Sequence, residues 1–477
     1  MQELVIVQLN DLHGYLAQHP EWVWGPDGLR FEQMGSIARI KAMVDAIRKQ
    51  NPHVLFLDNG DTFHGTRAVV ESRGECMLPI MERLGLAAMT GHWEFAYGPE
   101  HLTALSQALP YPFLAANVYE KDGDRLVFPP VTRVHFGATR VGIMGLACNI
   151  VDKVMPPHFS EGIRFTDGIA ELPRYVDQLR NRERCDLVVL LSHLGLPQDL
   201  DLVSRVEGVD VCLSAHTHHR LEAPVVVNKT IVIQSGCHGS FLGVLRLGIK
   251  PSEISMLEHR LVPVTAEIEP DPQIEALVER ALATQPDDST TVVGTCPVPL
   301  SRAMMLESTA DNVLLDAMRE ATGTELSFIN GWRYGAPIPA GPITVEAIYN
   351  LVPMNPEIST VRLSGAELWD MLEENLERTF SREPFAQMGG YVKRCGGLKA
   401  YFKVENPKGS RLQALFVGKS RVDPARHYTA SFVTMQAVPG KYGSDRQGTG
   451  MHLVETVVSH LQKGAAQFGP RQPFMEL

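Results

Sequence analysis

The segment LVIVQLNDLHG, residues 4–14, sets six residues rich in Val, Ile and Leu directly before Asp11 and His13. A short apolar run bounded by polar residues has the character of a strand buried on both faces. Asp11 and His13 are two apart, so their side chains leave one face as the strand runs out. The arrangement recurs. HVLFLDNGDTFHG, residues 53–65, ends in Asp61 beyond Gly60, which lets the backbone turn sharply. TGHWEF (90–95) offers His92, LLSHLG (190–195) offers His193, and SAHTHH (214–219) offers His216 and His218.

Further strand-like runs are RVGIMGLA (140–147), DLVVLLSH (186–193), VDVCLSAH (209–216) and TIVIQSG (230–236), while Met34–Lys49 and Asp167–Asn181 show helical spacing. Strands alternating with amphipathic helices predict an α/β layered domain over residues 1–265. The polar residues fall at the C-terminal ends of its strands, where open α/β sheets place ligands. Residues 266–291 change character: an acidic, proline-containing start, a helix over Ile274–Ala283 and a turn-like QPDDST read as a connection. Residues 292–477 form a second, mixed unit, with helices at Ala310–Thr322, Gly365–Glu377 and Met451–Lys463 and strands near Leu326, Thr360, Ala400 and Leu412. No internal repeat or low-complexity tract is present.

The 477 residues suffice for two or three domains, and 44% hydrophobic with 21% charged residues is ordinary for a soluble globular protein. Lys and Arg number 44 against 55 Asp and Glu, a net charge of -11. That balance argues against binding to a nucleic-acid polymer, which requires a basic surface. A small anionic substrate is compatible, because metal ions supply positive charge locally. The seven cysteines are odd in number, widely spaced and without a CxxC, as expected of free thiols. No apolar run reaches the roughly 18 residues needed to span a bilayer, and Leu4–Leu9 reads as a strand rather than a leader. The expectation is a cytoplasmic protein, or a periplasmic one had a leader been removed.

One carboxylate bridging two ions, with the other side chains among Asp11, His13, Asp61, His92, His193, His216 and His218 shared between them, is the ligand mixture a two-metal hydrolase needs. Imidazole with carboxylate suits Mn, Zn, Fe or Co. Taken singly, a histidine after a strand is usually structural and an aspartate in a turn is usually a cap. Five such clusters in order, each at a strand end, point to two divalent ions.

These motifs, with STADNVLLDAMREATG (308–323), INGWRYG (329–335) and PIPAGPIT (337–344), resemble the calcineurin-like metallophosphoesterases fused to a 5′-nucleotidase C-terminal domain. The resemblance implies a four-layer αββα catalytic domain and a smaller α+β substrate-binding domain that closes over it. It assigns Asp11, His13 and His218 to one metal, His193 and His216 to the other, and Asp61 to the bridge. His92 stands where the family has a ligating Asn, and Trp93 where it has a catalytic His. Ala96 replaces the Asp that orients that His. Indole cannot carry a proton in catalysis. His64 is the remaining candidate acid beside Asp61 and His92. For substrate, the resemblance points to Asn117, Asn330, Trp332, Arg333 and Tyr334, with Arg394 and either Phe432 or Met435 where the family clamps a base between two rings. Lys393 and Arg394 are read as a pair that meets a second negative charge.

GHWEFAYG (91–98), GWRYG and GGYVKRCGGL (389–398) also resemble the thiosulfohydrolase branch of the superfamily. Two enzymatic readings follow. The first is a 5′-nucleotidase-like phosphomonoesterase acting on nucleotides, favoured by architecture that spans the chain. The second is hydrolysis of a cysteine-bound thiosulfonate, whose sulfur leaving group needs little protonation. A third is a metal-retaining protein that binds a nucleoside without turning it over.

Overall fold

The computed structural model describes residues 2–26, 28–250, 253–464 and 466–477. The chain folds as two compact units, one of residues up to Lys153 with Pro157–Gln285, the other of Val154–Pro156 with Pro286–Leu477. Among the described residues, no helix is long and apolar enough to cross a membrane, and no disulfide joins any of the seven cysteines.

Two stacked sheets make up the first unit. Strand Gln2–Leu9 pairs in parallel with Val54–Asp58, which pairs in parallel with Ala88–Met89. On its other side Phe241–Lys250 and Glu253–Pro263 add antiparallel. The second sheet runs in the order Val225–Val227, Thr230–Ile233, Val211–Leu213, Leu187–Ser192, Thr139–Leu146, Val131–Phe136, its four central strands parallel.

Alternate residues from both sheets, among them Leu4, Ile6, Leu55, Leu57, Val189 and Leu191, form one buried core. The intervening Val5, Val7, Phe56, Val188 and Leu190 are buried too, because helices cover the outer faces. Helix Ile37–Gln50 packs on strand Val54–Asp58, and Leu179 lies against the backbone of Gly142. Burial on both faces is why these strands are apolar throughout instead of alternating. The result is the four-layered arrangement expected.

Local boundaries differ from the sequence reading. Met34 and Gly35 end strand Gly28–Gly35, which pairs with Gln18–Gly25, so the first helix starts at Ile37. Left-handed φ values of 82° at Gly35 and 89° at Ser36 make the turn between them. A two-stranded ribbon lacks the long apolar run that would announce it. Asp167–Asn181 is α-helical only over Glu171–Asp177, after which the coil widens to a π-turn at Gln178–Arg182. Helix Pro272–Leu282 buries Ile274, Leu277, Val278 and Ala281 and packs on helices Ile37–Gln50 and Leu78–Leu84. Asp271 caps its start by accepting from the N–H groups of Gln273 and Ile274.

The second unit is built on a five-stranded sheet ordered Tyr391–Gly396, Leu326–Gly331, His427–Phe432, Glu357–Ser364, Ser444–His452. Helices Thr309–Thr322 and Leu453–Gln462 pack in one apolar cluster and Gly365–Phe380 in another. The last of these starts in a reciprocal capping box between Ser364 and Glu367. At its centre Arg302 and Arg394, both fully buried, grip opposite oxygens of Asp311 at 2.8 and 2.9 Å. Asp311→Ala leaves two buried guanidinium groups without their carboxylate. The expected loss is about 3–5 kcal/mol, read as a lower denaturation midpoint; an unmoved midpoint would contradict this account.

Candidate metal centre

Each expected ligand follows a parallel strand. Asp11 and His13 follow Gln2–Leu9, Asp61 follows Val54–Asp58, and His92 follows Ala88–Met89. His193 follows Leu187–Ser192, and His216 and His218 follow Val211–Leu213. Parallel strands align their C-terminal ends, so residues up to 207 positions apart meet at one edge.

The seven side chains form two groups, Asp61–His92–His193–His216 and Asp11–His13–Asp61–His218, with Asp61 common to both. Within each group the ligand atoms lie within 4.8 Å of one another. Asp61 Oδ2 is 3.2 Å from His193 Nε2 and 3.6 Å from His13 Nε2, and Asp61 Oδ1 is 3.5 Å from His92 Nδ1. Asp11 Oδ1 is 3.2 Å from His218 Nε2 and 3.7 Å from His193 Nε2.

Whether these residues suit metal ions is decided by one ring. His193 Nδ1 faces the carbonyl oxygen of Asn59 at 2.7 Å, and a carbonyl only accepts, so that nitrogen carries a proton. In the neutral ring Nε2 turns a lone pair toward the Asp61 carboxylate, and without a metal ion that nitrogen is instead drawn to hold a proton against it. A lone pair facing an anion is repulsive unless a cation lies between them. Two carboxylates and five imidazoles are the donor set of a borderline divalent ion.

The electrostatics agree. Burial opposes ionisation of Asp61, yet His193, His92 and His13 hold its carboxyl well below the usual range. Burial likewise opposes protonation of His92, but Cys148 and Asp61 push it up to about 10. His193 is raised in the same sense by Asp61 and Asp11, against its burial. The cavity draws positive charge to these nitrogens.

The backbone is strained where the ligands are. Asp11, His13, Asp61, His216 and His218 all have left-handed φ, between 49° and 69°, at about 1–3 kcal/mol each. Side chains outside the ligand set hold this geometry. Glu94, wholly buried, accepts from the backbone N–H groups of Thr62 at 2.6 Å, His92 at 2.8 Å and Asp61 at 3.2 Å. Asn10 donates to Asp11 Oδ2 at 2.7 Å, and Asn59 ties the ends of strands Leu187–Ser192 and Val211–Leu213 together through the carbonyls of Ser192 and Leu213. The sequence reading passed over these three. Their signal was a polar residue set against a ligand or a strand end, which also fits an ordinary turn.

Trp93 donates its backbone N–H to Asp61 Oδ1 at 2.7 Å, so it orients the shared carboxylate without its side chain. Its indole stacks on His64, ring centres 4.5 Å apart and 19° between planes. His64 is fully buried, and burial drives its pKa down to about 3. Burial thus favours its neutral form, which speaks against its assignment as the candidate proton donor.

Other expected site residues fall into packing. Asn117 is buried and bridges the backbone of Ala147 and Thr166. In the second unit, Arg394 is committed to Asp311 and to the carbonyls of Met304 and Met305, which corrects its assignment as a base clamp. Lys393 is also buried, donating to the carbonyls of Gln436 and Ala437, so neither cation is presented to a second negative charge. Phe432 is buried in an apolar cluster and is no clamp either, whereas Met435 is exposed. Trp332 and Tyr334 stack on each other at 5.7 Å, and Trp332 Nε1 and Asn330 Nδ2 both donate to Gln436 Oε1. Arg333 is half-buried, its guanidinium 5.6 Å from the ring centre of Tyr391.

A carboxylate-centred cluster at the strand ends of an αββα unit defines a metallophosphoesterase-type hydrolase. Residues 4–220 match the calcineurin-like phosphoesterase family, and residues 292–437 match the 5′-nucleotidase C-terminal domain. The chain belongs to the two-domain calcineurin-like phosphoesterases that carry a 5′-nucleotidase C-terminal domain. Its fold is similar to that of the sulfate thiohydrolase SoxB of Thermus thermophilus, with TM-score 0.91 and 24% identity over 100% of this chain and 97% of that one. It is also similar to a 5′-nucleotidase precursor of Thermus thermophilus, with TM-score 0.88 and 26% identity over 100% of this chain and 99% of that one. The trifunctional nucleotide phosphoesterase YfkN of Bacillus subtilis is 23% identical over 460 residues, which is 86% of this chain but 30% of that longer protein.

Glu94→Gln turns one of two carboxylate oxygens, each accepting from two backbone N–H groups, into a donor. The expected result is about 10–100-fold weaker metal affinity with the fold retained, measured by chelator competition. Unchanged affinity would show that Glu94 does not support the ligand loops.

Proposed function

We propose that this enzyme hydrolyses a cysteine-bound thiosulfonate at a two-metal centre formed by Asp11, His13, Asp61, His92, His193, His216 and His218. The observation that carries the reading is Trp93 beside Asp61, with His64 stacked against it. Where the superfamily resemblance calls for a proton donor, neither group carries an acidic proton near neutral pH. Ala96, in place of the orienting Asp, fits the same reading.

Two divalent ions bound there would supply an acidified water and positive charge against the oxygens of the reacting anion. The chain's own residues do the positioning. Asp61, held by the Trp93 N–H and by the Glu94-pinned loop, fixes the point of attack. The Trp93 indole, buried against His64 and Phe159, walls off one side from solvent. In the reaction, water oxygen bonds to the sulfonate sulfur and the sulfur–sulfur bond breaks. The electron pair leaves on the terminal persulfide sulfur, sulfate is released and the two protons of the water pass to solvent. A persulfide carries negative charge readily, whereas an alkoxide leaving from a phosphomonoester gains about 10²–10⁴-fold from a positioned acid. The buried positions of Arg394 and Phe432 support this reading further, since they provide no base clamp.

A second reading is nucleotide phosphomonoester hydrolysis, supported by the 26% identity to a 5′-nucleotidase precursor across the whole chain. The two separate in one assay: sulfate release from a thiosulfonate-modified cysteine peptide, beside phosphate release from a panel of nucleotides, with Mn or Zn present. Sulfate release with slow nucleotide turnover is expected. Rapid nucleotide turnover alone would overturn the sulfur reading. Silence on both, with tight metal and nucleoside binding, would leave a binding protein. Full chelation should abolish turnover of either substrate.

Trp93→His by itself should raise phosphomonoesterase activity by less than about tenfold, short of the ~10²–10⁴-fold of an oriented acid. Ala96 offers no carboxylate to orient the new ring. A gain of the full size would contradict the positioning argument.

A further inference from the structure

Beyond the seven-residue centre, a further set of metal-ligating side chains converges in the first unit: His19, Glu21 and His238, with ligand atoms all within 4.8 Å of one another. All three are buried, at 5%, 3% and 3% exposure. His19 and Glu21 come from the Gln18–Gly25 strand of the hairpin, His238 from the loop before strand Phe241–Lys250.

The two oxygens of Glu21 have separate surroundings. Oε1 accepts from Arg220 Nη2 at 2.9 Å and from the Trp22 N–H at 2.8 Å. Oε2 is 3.5 Å from His238 Nδ1 and 3.1 Å from Ser240 Oγ, and Ser240 Oγ is 3.1 Å from His19 Nε2. Cys237 Sγ lies 3.5 Å from His238 Nδ1. Ligands bonded to zinc at about 2.0–2.2 Å stand roughly 3.4 Å apart along a tetrahedral edge, close to the 3.5 Å between Glu21 Oε2 and His238 Nδ1.

Two independent features mark the cluster as built. His238 has φ of 60°, the same left-handed strain carried by five residues of the main centre. Gly35 leaves the room that the His19 ring occupies: a Cβ there would fall 2.6 Å from His19 Cε1 and 3.0 Å from Nδ1. His238 also donates its backbone N–H to the Asp11 carbonyl at 2.7 Å, which links this loop to the first ligand strand.

We propose that His19, Glu21 and His238 bind a third metal ion, of the zinc class by its donor set, that pins the Gln18–Gly35 hairpin to the loop carrying His238. The ion shares no ligand with the seven-residue centre. Its role is structural, since all three side chains are buried and Arg220 covers the other face of Glu21.

The test is the metal content of the full chain, purified with zinc and exchanged into metal-free buffer. Three equivalents per chain are expected by mass spectrometry, with an anomalous scattering peak at the zinc edge centred among His19, Glu21 and His238. Glu21→Gln and His19→Ala should each lose one equivalent and keep two. Asp61→Asn should lose metal from the main centre and keep the third ion, so the two sites report separately. Wild-type protein with two equivalents and no peak at this position would overturn the proposal and leave a metal-free hydrogen-bonded network. So would variants that hold as much metal as the parent. Should a variant fail to fold, the wild-type stoichiometry and scattering peak decide alone.

Discussion

Asp61 is the group on which the centre depends. Three imidazole nitrogens stand 3.2–3.6 Å from its carboxylate, and a second carboxylate, Asp11, is buried in the same cavity. Burying two carboxylates together is strongly unfavourable unless positive charge compensates them. The surrounding histidines reflect that demand, with His92 and His193 drawn toward their charged forms against their burial. Metal ions meet the same demand without protons, and the proton on His193 Nδ1 leaves Nε2 directed at the place where one would lie.

The remainder of the first unit can be understood as the frame that keeps this arrangement from relaxing. Five ligands have left-handed backbone, which persists only where neighbours over-determine it. The neighbours are backbone-binding side chains and close-packed glycines. A Cβ at Gly60 would fall 2.4 Å from the Thr90 carbonyl oxygen, and one at Gly65 would fall 2.5 Å from that of His13. The loops that follow strands Gln2–Leu9, Val54–Asp58 and Ala88–Met89 therefore interlock at backbone level. Glu94 joins two of them with a single carboxylate.

Within that frame the Trp93 side chain serves packing. Trp93 keeps the backbone contact to Asp61 while its indole fills space beside His64. The two changes, Trp93 and Ala96, are consistent with one another, because a carboxylate at residue 96 would be buried with no imidazole to meet. The seven-residue cluster and the strained loops that hold it are features of a metallophosphoesterase-type hydrolytic centre. Arg302, Arg394 and Asp311 show the corresponding economy in the second unit, where charges that resemble ligand-binding groups are used to hold the sheet to its helices.

By itself, the amino-acid order determined the layering of the first unit and the seven side chains of its centre. Unbroken apolar runs such as LVIVQL require burial on both faces, and a polar residue after each run has only the strand end to occupy. It also located most helices, because a 3.6-residue period survives in a single segment. The tertiary structure alone decided what those residues meet. That Arg394 and Phe432 pack instead of binding a base, that His64 stacks on Trp93 and is held near pKa 3, and that Glu94 pins two loops depend on contacts between residues 29 or more positions apart. The Gln18–Gly35 hairpin and its His19–Glu21–His238 cluster escaped the sequence reading for the same reason. Side chains separated by more than two hundred positions acquire a shared chemistry only when folding removes the water between them.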